Sequence, residues 1–213
     1  MKHGQLRTTG ALLSLALCMS ACAPILVASV AGSALVATDR RTSGTQLEDE
    51  TIELRASSKV RDMFGEKVHV NITSYNRQVL VTGEVPSEKE RQAVVGIVEK
   101  VENVKSVVNE LSVMANASLG SRSNDLVVTG KIKASLVDSR DLFANAFKVV
   151  TERNTVYLMG RVTQREADSA TQVVRNVSGV NKVVRLFEII SEEELRRMAP
   201  PPAEKADADK AKK

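Results

Sequence analysis

The stretch Val79-Leu80-Val81-Thr82-Gly83-Glu84-Val85 recurs as Val156-Tyr157-Leu158-Met159-Gly160-Arg161-Val162, 77 positions later. The same offset holds upstream, where Val70-Asn71-Ile72-Thr73 falls over Phe147-Lys148-Val149-Val150. Downstream, Val101-Glu102-Asn103-Val104-Lys105-Ser106-Val107-Val108 matches Val177-Ser178-Gly179-Val180-Asn181-Lys182-Val183-Val184 at an offset of 76. A register kept over this span is the mark of a duplicated unit.

Each copy reads alike. A helix comes first, over 50–63 and 124–137, with Asn124 or Asp125 suited to cap the second. Two strands follow. Val68, Val70 and Ile72 alternate with polar residues, the period-2 pattern of a half-buried strand. Tyr75-Asn76-Arg77 and Arg153-Asn154 supply the hairpin turns. A second helix opens on Ser87 or Thr163, each followed three residues later by a Glu, the capping-box spacing. Val94, Ile97, Val98 and Val101 form its apolar face. A third strand, over 105–113 and 182–190, closes the unit. The fold class is therefore α+β: two tandem α-β-β-α-β domains, each with two helices on one face of a three-stranded mixed sheet. Gly83 and Gly160 hold matching places late in the second strand. They read as structural glycines, set where the backbone needs a positive φ, a bulge or a close approach.

Composition narrows the chemistry. With 43% hydrophobic and 26% charged residues, the 213-residue chain can build packed cores, and global disorder is excluded. Aromatics are 3% with no Trp, which leaves no base-stacking platform, and neither repeated glycine lies in a GXXG clamp; no nucleic acid is expected. The two cysteines, Cys18 and Cys22, lie at the N-terminus, so the body of the chain has no disulfide framework or Cys-based zinc site. His69 is the lone His beyond His3 and reads as a solvated strand histidine. The acidic residues are assigned to solvated helix faces. No catalytic residue, cofactor or metal is expected, and the chain reads as a non-enzyme.

The N-terminus is a targeting segment. Lys2 and Arg7 precede an apolar run from Ala11 to Leu17, then Met19-Ser20-Ala21-Cys22. This resembles the bacterial lipoprotein lipobox, with Met19 in place of the usual Leu. The resemblance implies a signal peptide over 1–21, acylation (palmitate included) at Cys22, and, from Ala23, sorting to the outer membrane. The alternative is an uncleaved membrane anchor, since apolar and small residues continue to Ala37; Pro24 and Gly32 count against a straight span.

The two Val-x-Leu-x-Gly-x-Val-like stretches, with the endings at Val104–Asn109 and Val180–Val184, resemble the BON domain. With the lipobox, they make the chain similar to dual-BON outer-membrane lipoproteins associated with division sites and envelope stress. Domain boundaries follow: an acylated N-terminus and tether over 22–46, BON domains over 47–115 and 124–190, a linker over 116–123, and a disordered tail over 191–213, in which Glu192 to Arg197 extends a helix. The first domain carries 9 basic and 12 acidic residues between Leu47 and Val113; the second carries 11 basic and 7 acidic between Arg122 and Ile190. The basic copy is thus the one suited to an anionic surface. On its first helix, Val128, Ile132 and Leu136 make a core stripe. Leu126 and Val127 lie beside it with Lys131, Lys133 and Arg140 following, the make-up of a helix seated in a headgroup layer. The alternative is that Leu126 and Val127 pack on the domain interface. The family resemblance implies lipid binding through this helix, at Leu126, Val127, Gly130, Lys131, Lys133, Ala134, Val137 and Arg140. The expected partners are anionic phospholipid (phosphatidylglycerol, cardiolipin) and envelope proteins, with the chain itself a monomer in the periplasm-facing leaflet. The competing function is a protein-interaction adaptor for envelope assembly or cell-wall remodelling machinery, using the acidic first domain.

Overall fold

A computed structural model describes residues 39–198. The signal peptide, Cys22 and the tail beyond Met198 lie outside the described residues.

The order is α1 (Ser43–Phe64), β1 (His69–Tyr75), β2 (Gln78–Val85), α2 (Glu88–Glu99), β3 (Ser106–Val113), then α3 (Leu119–Asp138), β4 (Lys148–Glu152), β5 (Thr155–Val162), α4 (Gln164–Arg175), β6 (Lys182–Ile189) and a short α5 (Glu192–Met198). Each copy is the expected α-β-β-α-β unit. The central strand of each sheet, β2 or β5, pairs antiparallel with the strand before it and parallel with the one after. The sheets are mixed because a two-residue hairpin joins the first pair and a helix crosses over to the third strand.

Both hairpins turn on two consecutive left-handed residues, Asn76-Arg77 and Arg153-Asn154, with φ of 49°, 68°, 50° and 59°. That is the primed turn whose twist suits a hairpin. Each turn is held by an aspartate from the first helix of its unit. Asp49 accepts the amides of Asn76 and Arg77 at 2.8 Å; Asp125 accepts those of Arg153 and Asn154 at 2.9 Å. This corrects the expected cap. Asp125 lies inside α3, and Ser118 caps the helix by accepting the amide of Ser121. Both first helices start earlier than their apolar periodicity suggests, for the same reason. Thr42 caps α1 at residues expected to be tether, and Ser118 caps α3 inside the expected linker.

Val79, Val81 and Val85 of β2 pack with Ile52, Ala56 and Val60 of α1 and Val94 and Val98 of α2. Val156, Leu158 and Val162 repeat this in the second unit with Val128, Ile132, Leu136, Ala167, Ala170 and Val174. A third cluster joins the units. Tyr75 and Leu80 of the first sheet pack with Tyr157 and Met159 of the second, flanked by Val108, Val150, Val184 and Leu186. Strand side chains alternate between faces, so the sheets meet on the faces their helices leave open.

The repeated glycines serve one close approach. A Cβ on Gly83 would stand 2.0 Å from the carbonyl oxygen of His69; one on Gly160 would stand 2.5 Å from that of Ala146, the counterpart position. Gly83 also has φ +114°, where L side chains are strained.

Candidate functional site

The helix expected to meet lipid presents one continuous outer face. Val128, Ile132 and Leu136 are buried, while Leu126, Val127 and Val137 are 75%, 57% and 69% exposed. Gly130, Lys131, Lys133, Ala134 and Arg140 are exposed as well. Positions 126, 130, 133 and 137 fall along one stripe, with 127, 131 and 134 beside it, as i, i+3, i+4 and i+7 spacing requires. Leu126 and Val127 are therefore not taken up by the domain interface. Lys131 Nζ lies 3.2 Å from Ser178 Oγ. Three residues past Arg140, Phe143 is 59% exposed. No periodicity marks this ring, because Phe143 lies in the irregular segment between α3 and β4.

The seam between the sheets holds a second constellation. His69, Glu84 and Glu152 bring ligand-type atoms within 4.8 Å of one another. His69 Nδ1 lies 2.9 Å from Glu84 Oε2, which also accepts the amide of Ala117 at 2.9 Å. Asn71 Nδ2 donates to Glu152 Oε2 at 2.7 Å. Burial holds the Glu152 carboxyl above its usual range, against the hydrogen bond from Asn71, and the charges of Glu84 and Asp125 push the same way. His69 is thus no solvated strand histidine. Glu84 pairs with it across the β1–β2 ladder, and the second domain covers that face. Nor do all the acids lie on helix faces. Glu84 and Glu152 are strand residues, and both are buried.

Around this seam, Lys148 Nζ reaches Glu53 at 2.6 Å and the carbonyl of Ser74 at 3.1 Å. Tyr75 accepts the amide of Arg161 at 3.2 Å. Arg40 and Arg41 join the ends. Arg40 is bound to Glu166 of the second unit, and Arg41 to Asp49 of the first at 2.7 Å, its guanidinium 4.3 Å above the Tyr75 ring. The residues expected to be a loose tether are ordered from Asp39 by these pairs.

Two tandem BON domains match, at residues 49–115 and 124–191. The chain belongs to the BON-domain family. It is homologous to Outer membrane lipoprotein DolP of Haemophilus influenzae, 33% identical over 192 residues, which cover 89% of this chain and all of that protein. It is also similar to a 21 kDa hemolysin of Actinobacillus pleuropneumoniae, 31% identical over 154 residues, 71% of this chain and 79% of that one. Among solved structures, CdsD, a structural protein of the type III secretion system of Chlamydia trachomatis, is 16% identical over 70% of this chain and 99% of its own, with a TM-score of 0.29. Among the described residues, no helix is long and apolar enough to cross a membrane.

Proposed function

We propose that this BON protein is a non-enzymatic, outer-membrane lipoprotein facing the periplasm. Acylated at Cys22, it binds anionic phospholipid through the outer face of α3 and maintains outer-membrane integrity at division sites. The observation that carries the lipid reading is the exposure of Leu126, Val127 and Val137 on a helix whose opposite stripe is fully packed, with Lys131 and Lys133 on the same helix and Arg140 two residues past its end. Apolar side chains with flanking cations are what an interfacial helix uses. Each cation near an anionic surface contributes about 1 kcal/mol. That is weak alone, but an acyl anchor makes it sufficient by raising local concentration. Homology to a named outer-membrane lipoprotein supports the location. The test follows amide shifts of the chain as anionic or zwitterionic lipid micelles are added. Shifts centred on α3 with anionic lipid alone are expected; no shift with either sinks the lipid reading.

The adaptor reading keeps one supporting observation. Leu47, Leu54 and Met63 of α1 are 66%, 73% and 64% exposed on the acidic first domain. Under that reading, charge changes on α1 rather than α3 abolish function.

A further inference from the structure

We propose that His69, Glu84 and Glu152 form a zinc site that ties the two BON domains together across their seam. The reading is independent of lipid binding.

Glu84 is fully buried, and its Oε1 has no hydrogen-bond partner among the described residues. A buried carboxylate oxygen left in that state is costly unless a cation meets it. The guanidinium of Arg153 forms a long ion pair with this oxygen at 3.7 Å, beyond hydrogen-bond reach, and its side chain is 44% exposed, so a closer cation can displace it outward. The outer oxygens are already held in place. Ala117 N–H fixes Glu84 Oε2, and Asn71 fixes Glu152 Oε2. Such outer hydrogen bonds are what orients carboxylate ligands on a metal.

The donor set selects the ion. Zinc takes imidazole and carboxylate ligands at about 2.0–2.2 Å in tetrahedral sites. Three donors within 4.8 Å of one another close on such an ion through side-chain shifts of about an ångström, leaving the fourth position to water. Magnesium and calcium prefer all-oxygen shells, which His69 spoils. On binding, the His69–Glu84 contact gives way and any proton it holds leaves to solvent. His69 and Glu84 belong to β1 and β2 of the first domain and Glu152 to β4 of the second. A bound ion is therefore a cross-link that fixes the domains relative to each other.

The experiment titrates zinc sulfate into the full chain in non-ionic detergent, with Cys18 and Cys22 replaced by Ser so that no thiol competes. Calorimetry, thermal unfolding and the His69 imidazole resonances are read together. One zinc per chain, a raised melting temperature and shifted His69 resonances are expected. Glu152→Gln keeps the shape and should weaken zinc at least about tenfold. Arg153→Asn, which tolerates the left-handed turn, removes the competing cation and should tighten it. Zinc binding to Glu152→Gln equal to that of the parent overturns the site, as do unmoved His69 resonances or equal binding of magnesium chloride. If Glu152→Gln does not fold, the Arg153→Asn arm decides alone, and affinity no greater than the parent's overturns the site.

Discussion

Arg40 presents both terminal guanidinium nitrogens to both carboxylate oxygens of Glu166, each at 2.7 Å. The side chains are 6% and 1% exposed. Arg40 is among the first described residues, yet its partner sits 126 positions away in α4 of the second domain. The chain thus reaches across the first domain's own sequence to grip the second. Glu166 is also the reciprocal member of the α4 capping box, accepting the amide of Thr163 at 3.0 Å. Removing one partner of a buried ion pair strands the other charge, at a cost of about 3–5 kcal/mol. Arg40→Ala is expected to lower stability by about 3 kcal/mol. A loss of unfolding free energy below about 1 kcal/mol in denaturant melts, about the worth of an exposed pair, would show the pair to be ornamental.

Acid should weaken the same joints. Burial opposes the charges of Glu166 and Asp49, but their partners win and hold both carboxyls below the usual range. Arg40 and the Thr163 amide act on Glu166; Ser74, the Arg77 and Asn76 amides and Arg41 act on Asp49. A depressed folded pKa adds stability above the unfolded values of 4.5 and 3.8. That stability is lost as pH falls through the lower folded values. Melting temperature is expected to fall steeply below about pH 4, and less steeply in Glu166→Gln and Asp49→Asn. Parallel curves for the variants and the parent would rule this out.

The two glycines separate space from conformation. Gly83→Ala meets both a backbone oxygen at 2.0 Å and a φ of +114°; Gly160→Ala meets an oxygen at 2.5 Å with no such φ. Both should destabilise, Gly83→Ala the more, by about 3 kcal/mol or above. Gly130→Ala has open space on an exposed helix face and should stabilise by about 0.5–1 kcal/mol. Urea midpoints rank the three, and Gly160→Ala below Gly83→Ala breaks the argument.

The repeat was legible from its constant offset, and the α-β-β-α-β element order, the hairpin turns and the α3 core stripe of Val128, Ile132 and Leu136 from spacing within one unit. The seam was not. Its one local signal is that Val79-Leu80-Val81 and Val156-Tyr157-Leu158-Met159 run apolar without alternation, as strands buried on both faces do. Nothing in that run names the partner sheet. His69, Glu84 and Glu152 meet through β-ladder pairing and domain packing together, and Arg40 meets Glu166 through a contact 126 residues long. Sequence periodicity carries neither. The α3 face was legible in part: Leu126 and Val127 fall just off a complete core stripe, but that spacing left open their packing on the domain interface, which their exposure excludes.

That face yields the last prediction. Lys133→Glu and Lys131→Glu each replace attraction to an anionic surface by repulsion, a change of roughly 2 kcal/mol, or about thirtyfold in partition. Lys131 also sits beside Ser178, so its reversal disturbs a local contact, whereas Lys133→Glu is the cleaner change. Leu126→Ser and Phe143→Ser remove apolar insertion instead, and their effect should persist at high salt, where the lysine effects fade. Flotation with phosphatidylglycerol vesicles at low and high salt reads all four. A Lys133→Glu loss that is equal at both salts, or a Leu126→Ser loss that fades at high salt, would mean that α3 does not seat in the headgroup layer as a charged, apolar-tipped helix.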